Sequence, residues 1–356
     1  RQINLAKEFP FQGYLVRFAD DGYIFSVMYH HSCLDPAKFM VVFNKMLSGY
    51  HEKVKGQMPD WAKTDGLAGL KRSGKLVHCM PLPKYTYLQF KDIYFKYPKK
   101  KVAHIASEKI LDYRNAPGRH SLRAVFDDPK LIEGINSRAK RHNATVNDLL
   151  MACCRKAMIQ WNQAHDQNHE NFRMMLVSSL KGRRDEKIQQ TGAAISALNF
   201  VTEDDTTKSM DQLIEMFRDI RKDLLNKGYD IQMNNLINKF ISAYRVFPYP
   251  MRRKVSLAMI KNTPMTLYVS NVGVLWPKFK DGRPTMDTVV PGAGDFVIED
   301  IHSSASITQF IGLGLTTRTH NNRFYMNFVS DRFRFRDHEA VEIRDRIVNE
   351  FVNAVS

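Results

Sequence analysis

Apolar positions along the chain alternate between the two-residue period of strands and the three-to-four-residue period of helices. Gly13 to Phe18 and Tyr23 to Tyr29 are β-rich runs separated by Ala19-Asp20-Asp21-Gly22, which predicts a hairpin. Phe39, Phe43, Met46, Leu47, Tyr50 and Val54 then recur at helical spacing. Asp35 suits the N-cap of that helix and Pro36 its first position, so the pattern reads strand, tight loop, helix. From Gln57 to about Lys101 it weakens into Gly, Pro and Lys with scattered aromatics, read as loop and edge strand. A lobe boundary is placed near Lys99 to Val102, dividing the chain into 1–101 and 102–356.

The second part opens with a strand at Ser121 to Phe126, a helix at Pro129 to Lys140, and a longer helix from Val146 to Ala164. Thr145 and Asp148 have capping-box spacing at the start of that helix, with Asp in the Glu/Gln slot. Strands follow at Arg173 to Leu180 and Ala193 to Val201, then helices at Ser209 to Asn226, Ile231 to Val246 and Pro250 to Lys261, with Gly228 closing the first. The remainder reads as sheet: Thr266 to Asn271, Asp295 to His302, Ser306 to Thr316, and a hairpin turning at Asn321-Asn322 into Phe324 to Val329. Ile343, Ile347, Phe351 and Val355 mark a last amphipathic helix. Strands and helices in alternation predict a mixed α/β protein with α+β mixed sheets.

Composition narrows the class. At 356 residues, 44% apolar and 25% charged, the chain can bury a core and is neither disordered, collagen-like nor a disulfide miniprotein. No apolar run approaches the roughly 18 residues of a membrane span, so a soluble protein is expected. The chain begins at Arg1 with no signal segment after it, and Cys33, Cys79, Cys153 and Cys154 are too few for a disulfide framework. A cytoplasmic setting is the expectation.

Charge narrows the partners: 53 Lys+Arg against 37 Asp+Glu leave +16, a field that draws phosphates, acidic proteins or an anionic membrane surface. The basic residues are dispersed and carry no zinc-finger spacing or RNA-binding aromatic signature, which argues against a dedicated nucleic-acid module.

Chemistry concentrates at His30, His31 and Asp35, an H-H-x-x-x-D spacing between a strand end and a helix start. An imidazole with an unperturbed pKa near 6.5 can take a proton from an alcohol, amine or thiol, typically worth ~10²- to 10⁴-fold in rate. The plain alternative is a polar strand terminus followed by a capping Asp. Neutral imidazoles with a carboxylate also bind zinc or iron, but adjacent histidines rarely point at one ion from a strand, and no metal is expected. Cys33 reads as a buried, inert thiol ahead of a nucleophile.

Four segments in order resemble the chloramphenicol acetyltransferase-like superfamily, which includes peptide-synthetase condensation domains, plant-type acyltransferases and wax ester synthases. Tyr29-His30-His31-Ser32-Cys33-Leu34-Asp35 is similar to its HHxxxD signature. Thr145-Val146-Asn147-Asp148-Leu149-Leu150 resembles the helix-opening V-N-D segment of the wax ester synthase/diacylglycerol acyltransferase branch. Val177-Ser178-Ser179-Leu180-Lys181-Gly182-Arg183 is similar to that branch's P-V-S-L-R strand, and Val269-Ser270-Asn271-Val272-Gly273 to its S-N-V-P-G.

The resemblance covers nearly the whole chain and implies a two-lobed α/β architecture with a tunnel between the lobes. It implies that His31 is the general base, accepting a proton from a hydroxyl or amine as it attacks an acyl thioester, while His30 and Asp35 shape the loop. Ser270, with Asn271 beside it, is the candidate for stabilising the oxyanion or lining the tunnel. The cosubstrate implied is acyl-coenzyme A or a phosphopantetheinyl carrier, with no permanently bound cofactor, and the acceptor is an alcohol, a sugar hydroxyl or an amine. The V-N-D and S-N-V matches favour O-acylation from acyl-coenzyme A. The many aromatics and 17 Met suit an adaptable apolar tunnel.

The chain also departs from the pattern. Pro36 stands where condensation domains have glycine, the plant-branch D-F-G-W-G segment is absent, and only 29 residues precede His30. The expectation is an incomplete N-terminal lobe, whose missing start a second chain could supply, with Arg17 substituting for the arginine that pairs with the motif Asp. The competing reading is a noncatalytic condensation-like scaffold that binds an acidic carrier protein or another chain.

Overall fold

The structure is a computed structural model. It describes residues 9, 11–18, 22–29, 36–58, 102–107, 118–179, 195–202, 206–226, 248, 250–251, 254, 265–275, 277–280, 283–288, 292–293, 296–303, 311–332 and 334–356. The chain divides into two units, Arg1–Ser73 with Lys181–Ile195 and Gly292–Val297, and Gly74–Leu180 with Ser196–Pro291 and Ile298–Ser356.

In the first unit, β1 (Phe11–Arg17) and β2 (Tyr23–Tyr29) form the expected antiparallel hairpin, with Phe11 opposite Tyr29 and Arg17 opposite Tyr23. The Phe18 N–H donates to the Gly22 carbonyl at 2.7 Å and closes the turn. Helix α1 (Pro36–Val54) follows. Its Phe39 ring stacks on Tyr29 at 4.8 Å and on Phe43 at 5.8 Å, and Phe43 in turn stacks on Phe25 at 6.3 Å. These contacts fasten one face of the hairpin to the helix, while Tyr14, Val16 and Ile24 on its other face stay exposed.

The second unit is built on a six-stranded sheet. Its elements in chain order are β3 (Arg119–Phe126), α2 (Pro129–Arg141), α3 (Val146–Ala164), β4 (Arg173–Ser179), β5 (Ile195–Val201), α4 (Met210–Asn226) and β6 (Met265–Val274). The hairpin β7 (Pro277–Lys280) and β8 (Arg283–Thr288) comes next; β9 (Gly292–Ala293) and β10 (Phe296–Val297) then pair antiparallel in the first unit. β11 (Ile311–His320), β12 (Arg323–Asp331) and α5 (Asp337–Val355) complete the second. The sheet order is β3-β12-β11-β6-β4-β5, antiparallel on both sides of β12 and parallel from β11 through β6 to β4. Leu267, Val269, Leu313, Leu315, Met326 and Phe328 form one face and pack with Phe217, Ile343, Ile347 and Phe351 of the helices into the core.

Local chemistry explains the element ends. The Thr145 hydroxyl accepts from the Asp148 N–H and the Asp148 carboxylate accepts from the Thr145 N–H at 2.8 Å, the capping box read from the sequence. That carboxylate also accepts from Arg221 of α4, from Nε at 2.8 Å and Nη2 at 2.9 Å, so one buried acid starts α3 and ties it to its neighbour. Asn321 and Asn322, at φ of 48° and 54°, turn the β11–β12 hairpin in the left-handed region that asparagine tolerates. Cys153 and Cys154 are fully buried in α3, and burial pushes both thiols up and leaves them inert.

One expected strand is corrected. In place of a strand over Asp295 to His302, pairing is confined to Phe296–Val297, and 298–303 is irregular. There the Asp300 carboxylate accepts from the neighbouring Ile301 N–H at 2.7 Å and from Arg123 at 2.7 Å, local bonds that compete with a ladder. β11 in turn runs four residues beyond the expected end at Thr316. The helices expected at 231–246 and nearly all of 250–261, Gly228 and the loop beyond Met58 up to Lys101 lie outside the described residues. Among the described residues no helix is long and apolar enough to cross a membrane.

Candidate functional site

Alternation along β11 and β12 sends their apolar residues to the helix-covered face and delivers Thr316, Arg318 and His320, with Tyr325 and Asn327, to the other. The register lines up a polar row across four strands: Ser270 on β6, Thr316 on β11, Asn327 on β12 and Arg123 on β3. In the next row Arg318 lies opposite Tyr325, its Cζ 4.5 Å from the ring centroid, while the Arg123 Cζ is 5.9 Å from that same ring.

The irregular segment 298–303 is bonded to this face. Asp300 pairs with Arg123, and the Arg318 Nη1 donates to the Ser303 hydroxyl at 3.0 Å. Burial opposes the Asp300 charge, but the hydrogen bond and charge of Arg123 outweigh it and hold the carboxyl below its usual range. Burial lowers Arg318 to about 10, against which the nearby Tyr325 and Asp300 act. His302 and His320 are lowered first by burial and then by the surrounding arginines, so both rings favour the neutral form.

Several of these polar groups are buried without a partner. The Arg318 Nε and Nη2, both polar atoms of the Asn327 amide, the Thr316 hydroxyl and the Tyr268 hydroxyl have none, although each residue is at least nine-tenths buried. Such groups are rare in folded proteins and each calls for an explanation.

The residues expected from sequence fall differently. β2 ends at Tyr29 and α1 begins at Pro36; His30, His31, Cys33 and Asp35, in the stretch between, lie outside the described residues. Arg17 ends β1 with its guanidinium over the Tyr23 ring at 5.8 Å. Ser270 sits half-buried in the polar row. Asn271 lies on the opposite face, level with Thr317, and its Oδ1 accepts from the Gly273 N–H at 2.8 Å. Gly273 has φ of 85°, so the Asn271 amide shapes the end of β6 where the chain needs glycine.

Sequence reasoning missed Arg123, Asp300, His302, Arg318, His320, Tyr325 and Asn327. The detectable signal was the series Thr316, Arg318, His320 at two-residue spacing, in a stretch where apolar residues would be expected on both faces of a parallel strand. Ending the strand at Thr316 concealed it.

No protein-family model and no curated protein matches the chain significantly. Solved structures do. The epimerization domain from the third module of tyrocidine synthetase B superposes with a TM-score of 0.59 at 13% identity, over 96% of this chain and 71% of that one. The first condensation domain of the calcium-dependent antibiotic synthetase, in complex with a substrate analogue, gives 0.58 at 11%, over 97% and 67%. The EpoB NRPS cyclization-docking bidomain from Sorangium cellulosum gives 0.61 at 9%, over 100% of this chain and 65% of that one. With a mixed six-stranded sheet and helices against one of its faces, the chain shares the α/β fold of condensation-type domains.

Proposed function

We propose that this chain is an acyltransferase that moves an acyl group from a thioester to a hydroxyl or amine, with His31 as general base. The observation that carries this reading is the H-H-x-x-x-D sequence joining β2 to α1 in a chain with a condensation-type fold. The acceptor oxygen or nitrogen gives its proton to the His31 imidazole as it bonds to the thioester carbonyl carbon. The resulting oxyanion is stabilised by donors near Ser270, then collapses with cleavage of the C–S bond, and the departing thiolate recovers the proton from the imidazolium. Residues 1–101 and 102–356 form the two lobes. The donor is coenzyme A or a phosphopantetheinyl carrier; the V-N-D and S-N-V segments favour the wax ester synthase/diacylglycerol acyltransferase type of O-acylation. The +16 net charge suits these anionic donors.

The test compares the parent chain with His31→Ala, using both acyl-coenzyme A and acyl-carrier protein over a panel of alcohols and amines. The expected result is turnover by the parent and a loss of roughly 10²- to 10⁴-fold in the variant with an unchanged circular dichroism spectrum. A parent chain that binds acyl-carrier protein yet transfers nothing overturns the enzyme reading in favour of a scaffold.

A further inference from the structure

We propose that Arg318 anchors a buried oxyanion-binding site, its side-on fork taking two oxygens of a carboxylate or phosphate with the Asn327 amide and Thr316 hydroxyl as neighbouring donors. This site is independent of acyl transfer by His31.

The geometry of the guanidinium carries the proposal. Arg318 is 2% exposed. One of its terminal nitrogens, Nη1, donates to Ser303, and its Cζ lies over the Tyr325 ring, 4.5 Å from the centroid. Those contacts leave the edge formed by Nε and Nη2, and neither atom has a hydrogen-bond partner. Nε–H and the adjacent Nη2–H are parallel, at the spacing that matches two oxygens of one carboxylate or phosphate. The contact with the aromatic ring holds the guanidinium in place without taking up these two N–H groups.

The surroundings select an anion. Arg123, against the same ring, has its counterion in Asp300 at 2.7 Å; among the described residues no carboxylate is hydrogen-bonded to Arg318. A buried cation whose nearest carboxylate is already bonded to another arginine is under-compensated, so this position rewards a ligand that brings one negative charge. Two residues back on the same face of β11, the Thr316 hydroxyl is unpartnered, and directly across on β12 the fully buried Asn327 offers its Nδ2 donor. Ser303, the acceptor of the Nη1 bond, is exposed.

Inorganic phosphate and acetate, at constant ionic strength against a chloride reference, probe the site in the full chain. The readouts are thermal denaturation and the ¹H–¹⁵N signal of the Arg318 Nε, assigned by its disappearance in Arg318→Lys. One anion is expected to give a saturable rise in melting temperature and to move the Nε signal. A response to phosphate alone identifies a phosphorylated ligand, and a response to acetate alone a carboxylic acid. Arg318→Lys, which keeps the charge and loses the fork, is expected to weaken binding about tenfold or more, and Asn327→Ala to weaken it less. An Nε signal that neither anion moves, or a Kd unchanged in Arg318→Lys, overturns the proposal. Anion-dependent melting of the parent chain needs no variant, and a parent whose melting temperature neither anion raises overturns the proposal even where Arg318→Lys does not fold.

Discussion

Gly314 shows how tightly single positions are set on the polar sheet face. It lies beside Tyr268 in the parallel β11–β6 register, and a Cβ there would come within 2.3 Å of the edge of the Tyr268 ring. The ring is 5% exposed and has little room to withdraw. Gly314→Ala is therefore expected to lower stability by about 1–3 kcal/mol, read as a shift in the urea midpoint. A midpoint within error of the parent's would mean the ring is free to move. Titration has a similar residue-level logic. His302 and His320 are held below 6.5 mainly by burial, and His104 by burial and then Arg334. Below about pH 6.5 the unfolded chain takes up protons that the folded one refuses. Stability is then expected to fall as pH drops through 6.5, levelling off below the folded values, where these histidines charge in both states. Denaturation curves from pH 8 to 5 test this, and His320→Gln is expected to flatten the slope. A stability that climbs toward pH 5 would contradict it. At this scale the sequence was legible where a residue acts within its own turn, as at the Thr145 cap. It was silent on Arg318, because an arginine's pairing depends on strands far apart in the chain.

Among the elements, α3 carries the most information in its first turn. The buried Asp148 carboxylate serves the Thr145 N–H and hydroxyl, and Arg221 across the α3–α4 contact. Replacing it with Ala removes a cap and leaves a largely buried guanidinium without its acid, an expected loss of about 2–4 kcal/mol. Asp148→Asn, which keeps one oxygen acceptor, is expected to lose less; equal losses would show that the charge opposite Arg221, and not the geometry of the cap, matters. The V-N-D segment noted in the sequence thus has a structural use. Helix starts were readable because Thr145, Asp148, Pro36 and Pro129 act within a turn of themselves. Turns marked by Ala19-Asp20-Asp21-Gly22 and Asn321-Asn322 were readable for the same reason. The segment after Val297 was not, since Asp300 answers to Arg123 on a strand 177 residues earlier.

For the whole molecule, alternation of periods was enough to predict mixed α/β architecture, while the strand order was beyond it. Phe324 pairs with Phe126 and Asp331 with Arg119, so β3, the first strand of the second unit's sheet, meets its partner only near the end of the chain. About 200 residues separate the two, and at ordinary translation rates of roughly 5–20 residues per second the ribosome needs some 10 to 40 seconds to deliver β12 after β3. During that interval Leu122, Ala124 and Phe126 have no native strand to sit against and no α5 to cover them. Biosynthesis therefore exposes a sticky ribbon long before its proper mate exists, and chaperone demand in the cell should follow the length of that wait.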